Sequence, residues 1–132
     1  LPRQSIGPVG QLPDGTVNPI SPALRAGDFV FISGLMPKGS DGQIATSGIA
    51  DQTKVVMERL RTVLTLADCA FEDVVKCTVW ITDAKNFKAF NSVYETYFTG
   101  PPPARSAVRC DLLLEGALLE LEALCYKPVL TN

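Results

Sequence analysis

Two helix-periodic stretches, and no more than two, interrupt a chain whose other apolar segments alternate with a period of two. In the first, Val56, Leu60, Val63, Leu64 and Ala67 recur at helical spacing, with Lys54, Glu58, Arg61 and Thr65 on the other side; Ser47 or a neighbour is expected to cap it, and it should run to about Ala67. The second spans Phe87–Phe98 behind an Asp83 cap, with Phe87, Phe90, Tyr94, Tyr97 and Phe98 on one face. Such an aromatic stripe is ordinary core material. Around the helices lie Ala23–Ala26, Phe29–Ser33, Val74–Thr82, Ala104–Cys110 and Leu118–Tyr126, each reading as a strand, with Gly27-Asp28 turning the first pair into a hairpin. The order is ββαβαββ. Two helices cannot cover both faces of such a sheet, so the expected fold is an α+β sandwich of two layers with both helices on one face.

Alternation also sorts the charged residues. In Ala104–Cys110 it sends Arg105, Ala107 and Arg109 to one side and Ser106, Val108 and Cys110 to the other. Downstream, Glu120 and Glu122 alternate with Leu119, Leu121, Ala123 and Cys125. If the two strands are neighbours, each arginine has a carboxylate within reach. The face away from the helices is then expected to carry Lys76, Arg105, Arg109, Glu120 and Glu122 with Trp80, Val30 and Ile32. That mixture of charge and large apolar groups is awkward in water, and burial between subunits would resolve it.

With 132 residues, 46% of them hydrophobic, the chain can bury a core of its own without a disulfide or a metal. Residues 1–22, rich in Pro and Gly and without a sustained period, read as an irregular arm, and residues 23–132 as one domain. A formal charge of −2 and scattered basic residues give no reason to collect phosphates, so nucleic acid is not an expected partner; no apolar run is long enough for a membrane helix. The loop Pro37–Gly42 matches neither glycine-rich phosphate motif. There is no histidine, and the four cysteines, Cys69, Cys77, Cys110 and Cys125, lack paired spacing, which argues against a metal site. Cys77, Cys110 and Cys125 fall on the apolar side of strands and read as packed thiols, consistent with a reduced, cytoplasmic setting.

Several runs together resemble one family. Phe29–Pro37, the helix beginning near Gln52, Asp73–Asp83, Phe90–Phe98, Pro103-Ala-Arg-Ser106 and Leu119-Glu-Leu-Glu-Ala123 are similar, in this order, to the Rid (YjgF-like) proteins, reactive-intermediate deaminases also labelled endoribonuclease L-PSP. The Pro-Ala-Arg-Ser strand followed at this spacing by Glu-Leu-Glu-Ala is the specific part. The resemblance implies a chorismate-mutase-like α+β subunit, a homotrimer with ligand clefts between subunits, and hydrolysis of carboxylate-bearing imines and enamines to 2-oxo acids and ammonia without a cofactor. It implies that Arg105 holds the substrate carboxylate, that Glu120 places or activates water, that backbone at Gly34 and Ala107 lines the cleft, and that Asn91 lies close by. The position of the family's arm tyrosine falls on Ile20, which has no hydroxyl. Arg109 replaces a residue that is commonly acidic or neutral. Two other functions stay open on the sequence: a non-catalytic trimer that binds small acids, and an endoribonuclease, against which the absence of histidine and the acidic balance argue. Glu120 also has a plain alternative, as an ion-pair partner of Arg105 or Arg109.

Overall fold

The computed structural model describes residues 3–130. Its main sheet has six strands, β1 (Gln4–Ile6), β4 (Ala23–Ala26), β5 (Phe29–Leu35), β6 (Val74–Ile81), β7 (Ala104–Arg109) and β8 (Leu119–Tyr126), ordered β1-β4-β5-β8-β6-β7. Every neighbouring pair is antiparallel except β6 and β7. A small hairpin of β2 (Gly10–Gln11) and β3 (Val17–Asn18) stands apart from the sheet. Helices α1 (Ile49–Leu66) and α2 (Phe87–Tyr94) lie on one face, giving the expected two layers. No helix among the described residues is long and apolar enough to cross a membrane.

The arm departs from its expected irregularity, because Gln4–Ile6 pairs with Arg25–Ala23 as an outer strand of the sheet. Strands of two or three residues are too short for alternation to register in a sequence. The first helix keeps its predicted stripe, with Val56, Leu60, Val63, Leu64 and Ala67 buried, but it opens on Gly48 at φ 102 with no side-chain cap, so Ser47 does not cap it. It ends in a tight closure in which Cys69 N–H donates to Leu64 O at 2.8 Å and Asp68 N–H to Thr65 O at 3.1 Å, with Asp68 in the left-handed region at φ 59. The single second helix expected over Phe87–Phe98 is instead α2 followed by a tight turn at Glu95–Tyr97. Asp83 caps the short turn ahead of α2, accepting a bond from Lys85 N–H at 3.0 Å.

The faces of the sheet fall differently from the expectation. Val30 and Ile32 are buried in the core, and Phe29 and Phe31 take the outer face, exposed by 42% and 50%. In β6 the buried position is Val74 and the exposed one Val75, because an irregularity between Val74 and Lys76 shifts the alternation. Most consequential is the placement of the charges. Cys77, Val79 and Ile81 face the helices and stand opposite Arg105, Ala107 and Arg109 in β7, so the arginines lie on the helix side. Trp80 and Thr78 stand opposite Glu120 and Glu122, which therefore lie on the outer side. The arginines and glutamates occupy opposite faces, and β6 separates their strands. Alternation fixes parity within a strand, whereas the side that meets the core is set by register between strands.

Candidate functional site

Arg105 emerges from the edge strand β7 beneath α2. The parallel pairing Cys77↔Arg105 points it at the helix, where the aromatic stripe forms a bed: its guanidinium carbon is 4.9 Å from the Tyr94 ring centroid, 5.2 Å from Phe87 and 5.7 Å from Phe90. One guanidinium nitrogen donates to Asn91 Oδ1 at 2.7 Å. Ring faces attract a cation and a side-chain amide orients it, which leaves the remaining N–H donors for a ligand. Arg105 is half-buried and forms no ion pair with the described carboxylates. Beside it opens a cavity of about 430 Å³ lined by Asn91, Tyr94, Glu95, Pro102, Pro103 and Arg105. Tyr94 is 5% exposed and its hydroxyl has no hydrogen-bond partner among the described residues; burial pushes the phenol well above its ordinary range. Burial likewise raises the Cys77 thiol, as suits a packed group.

Glu120 stands on the other side of the sheet. Its neighbour across β5 is Gly34, where a Cβ would collide with Glu120 Oε2 and lie 3.1 Å from its carboxyl carbon. Glycine is therefore required if the carboxyl is to stay where it is. Between Ile32 and Leu35 the β5–β8 register slips, so that Ser33-Gly34 forms a bulge that brings the backbone to the carboxyl. Glu120 is half-buried and in no ion pair with a described residue, and burial, followed by the nearby Glu122, raises its pKa. The ion-pair alternative for Glu120 is excluded within the subunit, since both arginines project from the opposite face.

The structure thus brings the predicted residues together in two groups. Arg105 and Asn91 touch, and Ala107 shares their face of β7. Gly34 and Glu120 touch on the outer face. Ile20, 47% exposed, belongs to the arm and lies near the second group in the chain's path: Ser21 O and Pro22 O accept bonds from Ser33 Oγ (2.6 Å) and Ser33 N–H (3.1 Å), beside Gly34. Arg109 is exposed and unpaired among the described residues. Sequence reasoning treated Phe87, Phe90 and Tyr94 as core only and missed that they also carry Arg105; an arginine in register with buried Cys77 would have been the signal.

Chemically, the first group can grip a carboxylate through the guanidinium's remaining N–H donors. The second is a carboxyl held partly out of water, able to hold or pass a proton at a higher pH than a free glutamate.

Comparison with known proteins bears on the family and the fold. The sequence profile of the family described as Endoribonuclease L-PSP matches residues 12–127. The chain is 39% identical over 112 residues to a RutC family protein of Pyrococcus horikoshii, covering 84% of this chain and 89% of that one. It is 33% identical over 119 residues to the 2-iminobutanoate/2-iminopropanoate deaminase of Homo sapiens, covering 89% and 87% of the two chains. The crystal structure of a putative endoribonuclease from Thermotoga maritima superposes with a TM-score of 0.84 at 29% identity, covering 96% of this chain and 98% of that one. The profile match over nearly the whole sheet, the fold and the relatives agree: the chain belongs to the Rid (YjgF-like, endoribonuclease L-PSP) family.

Proposed function

We propose that this protein is a cytoplasmic deaminase that hydrolyses small carboxylate-bearing imines and enamines to 2-oxo acids and ammonia, in clefts between the subunits of a homotrimer. One observation carries the reading: Arg105 is a half-buried cation, oriented by Asn91 and an aromatic bed, with no carboxylate among the described residues of its subunit to neutralise it. Both substrates in the human relative's name are 2-imino acids, which present such a carboxylate. Two parallel bonds from a guanidinium to a carboxylate contribute about 1.5–3 kcal/mol each.

A protonated imine is already electrophilic at carbon, so the protein has to orient it, place a water and move a proton. Glu120 accepts a proton from the attacking water as the C–O bond forms. The resulting carbinolamine collapses when its nitrogen, protonated by the same carboxyl, departs as ammonia; the C–N bond breaks as the hydroxyl returns its proton to the carboxylate, leaving the 2-oxo acid. Arg105 and Glu120 cannot meet on one subunit, because they project from opposite faces of its sheet. A second copy supplies the missing half, and the exposed Phe29, Phe31, Val108 and Tyr126 give the outer face the apolar area for that contact.

The test is turnover: 2-iminobutanoate generated in place by an amino acid oxidase should vanish faster with the protein than with buffer, and Arg105→Ala should abolish the difference. Ile20, which offers no hydroxyl to a ligand, favours a second reading, a trimer that binds small acids without turning them over. Binding of 2-oxobutanoate with no acceleration of imine loss would establish that one instead.

A further inference from the structure

We propose that Gln52 is a positioning residue for Glu120: its side-chain amide ties the loop leaving the Gly34 strand to the loop entering the Glu120 strand. The proposal rests on Glu120 being the proton-moving group of the deaminase reading.

Gln52 is 2% exposed, on the first turn of α1. Its Nε2 donates to Ala45 O at 2.8 Å and to Gly116 O at 2.9 Å, and its Oε1 accepts from Leu118 N–H at 2.7 Å. Among the described residues no other side chain bonds to both loops. Each anchored point leads to one half of the Gly34–Glu120 contact. Ala45 N–H donates to Pro37 O at 3.2 Å, just past the end of β5. Leu118 immediately precedes β8, two residues from Glu120, and its carbonyl accepts from Thr82 N–H at 3.1 Å.

The constraint matters because the β5–β8 ladder supplies only part of it. Pairing of β5 with β8 slips between Ile32 and Leu35, so Gly34 lies in the bulge, and beyond it the β5–β8 ladder resumes with the single pair Leu35↔Leu121. What sets Glu120 over Gly34 is therefore that one pair, the β6 pairing of Glu120 with Trp80, and the path of the two chain segments beyond them, which are the segments Gln52 joins. The chemistry asks for this side chain in particular. Two carbonyls and one N–H need two donors and one acceptor at the end of a two-methylene stem. Glutamate lacks the donors, asparagine lacks the reach and methionine lacks both polar functions.

The decisive measurement is the carboxyl titration of Glu120, followed by NMR in the wild-type protein and in Gln52→Met. Expected is a shift of its midpoint toward that of an ordinary glutamate, as the loosened loops let water reach the carboxyl; an unmoved midpoint in the folded variant overturns the proposal. Should Gln52→Met fail to fold, Gln52→Asn serves the same measurement. A kinetic cycle gives a second arm: Gln52→Met should lower kcat by ~10-fold or more with KM held, and by under about 2-fold when Glu120→Gln is already present, since the two act as one unit. Equal losses in both backgrounds overturn it. A wild-type protein with no turnover sinks the deaminase reading and leaves the titration interpretable, whereas turnover with an unmoved titration sinks only the role of Gln52.

Discussion

The two halves of the candidate site are built on opposite principles. Around Arg105 the charge is held by side chains: three aromatic rings below, an asparagine oxygen at 2.7 Å and two prolines at the cavity rim. Around Glu120 the close approach is by backbone, at Gly34, where a Cβ would collide with the carboxyl, and Trp80 stands opposite on β6. A cation that must wait for a ligand is best kept rigid and half-hydrated, whereas a carboxyl that must change protonation is best kept poorly hydrated and unpaired. In the proposed reaction one half serves as a clamp and the other as a proton carrier, and substitutions should separate them by which kinetic constant moves.

The largest effect should come from Glu120→Gln, which keeps the shape and removes the proton carrier. A loss of about 10²–10⁴-fold in kcat with KM nearly unchanged is expected from steady-state kinetics on 2-iminobutanoate. Arg105→Ala should follow, costing ~100-fold or more in kcat/KM, mainly through KM, and abolishing calorimetric binding of 2-oxobutanoate. If instead Glu120→Gln raises KM and Arg105→Ala lowers kcat alone, the division of labour is reversed. Asn91→Ala, which frees the guanidinium without removing it, should raise KM by roughly 10-fold, about one charge-assisted hydrogen bond.

A smaller effect separates the halves by pH. Burial raises the folded-state pKa of Glu120 above its value in the unfolded chain, so the native state holds this proton more tightly. Its favourable contribution is complete below the unfolded pKa and is lost as pH rises through the folded one, leaving an ionised, poorly hydrated carboxyl. Glu120→Gln should accordingly gain in melting temperature relative to the wild type at neutral pH, and that gain should shrink toward pH 4. The smallest effect lies outside both halves. Asp68 holds φ 59 at the end of α1, and Asp68→Gly should stabilise the fold by about 0.5–1 kcal/mol in urea unfolding without changing either kinetic constant.

Much of this architecture is legible in the chain, and what is not has a common cause. The helix stripe ending at Ala67, the hairpin turning at Gly27 and the alternation of Arg105, Ala107 and Arg109 are local patterns, and they stand as read. The pairing of Arg105 with a glutamate was an inference across strands, and it fails because β8 inserts between β5 and β6 and leaves β7 at the edge. A slip of one residue adds to it: in β6 the buried Val74 is out of step with the alternation of Cys77, Val79 and Ile81. Side-chain period carries no information about register, and register decides faces. The Gly34–Glu120 contact joins residues far apart in sequence through a bulge, and only the family resemblance pointed to that pair.

The central position of β8 has a consequence for how the chain reaches its shape. β5 and β6 are separated in the finished sheet by a strand that follows both of them by many residues, so on the ribosome each presents a bare edge until Leu119–Tyr126 has emerged. Closing the gap then waits for β8 to be synthesised, and during that interval a strand of a second nascent chain can occupy it.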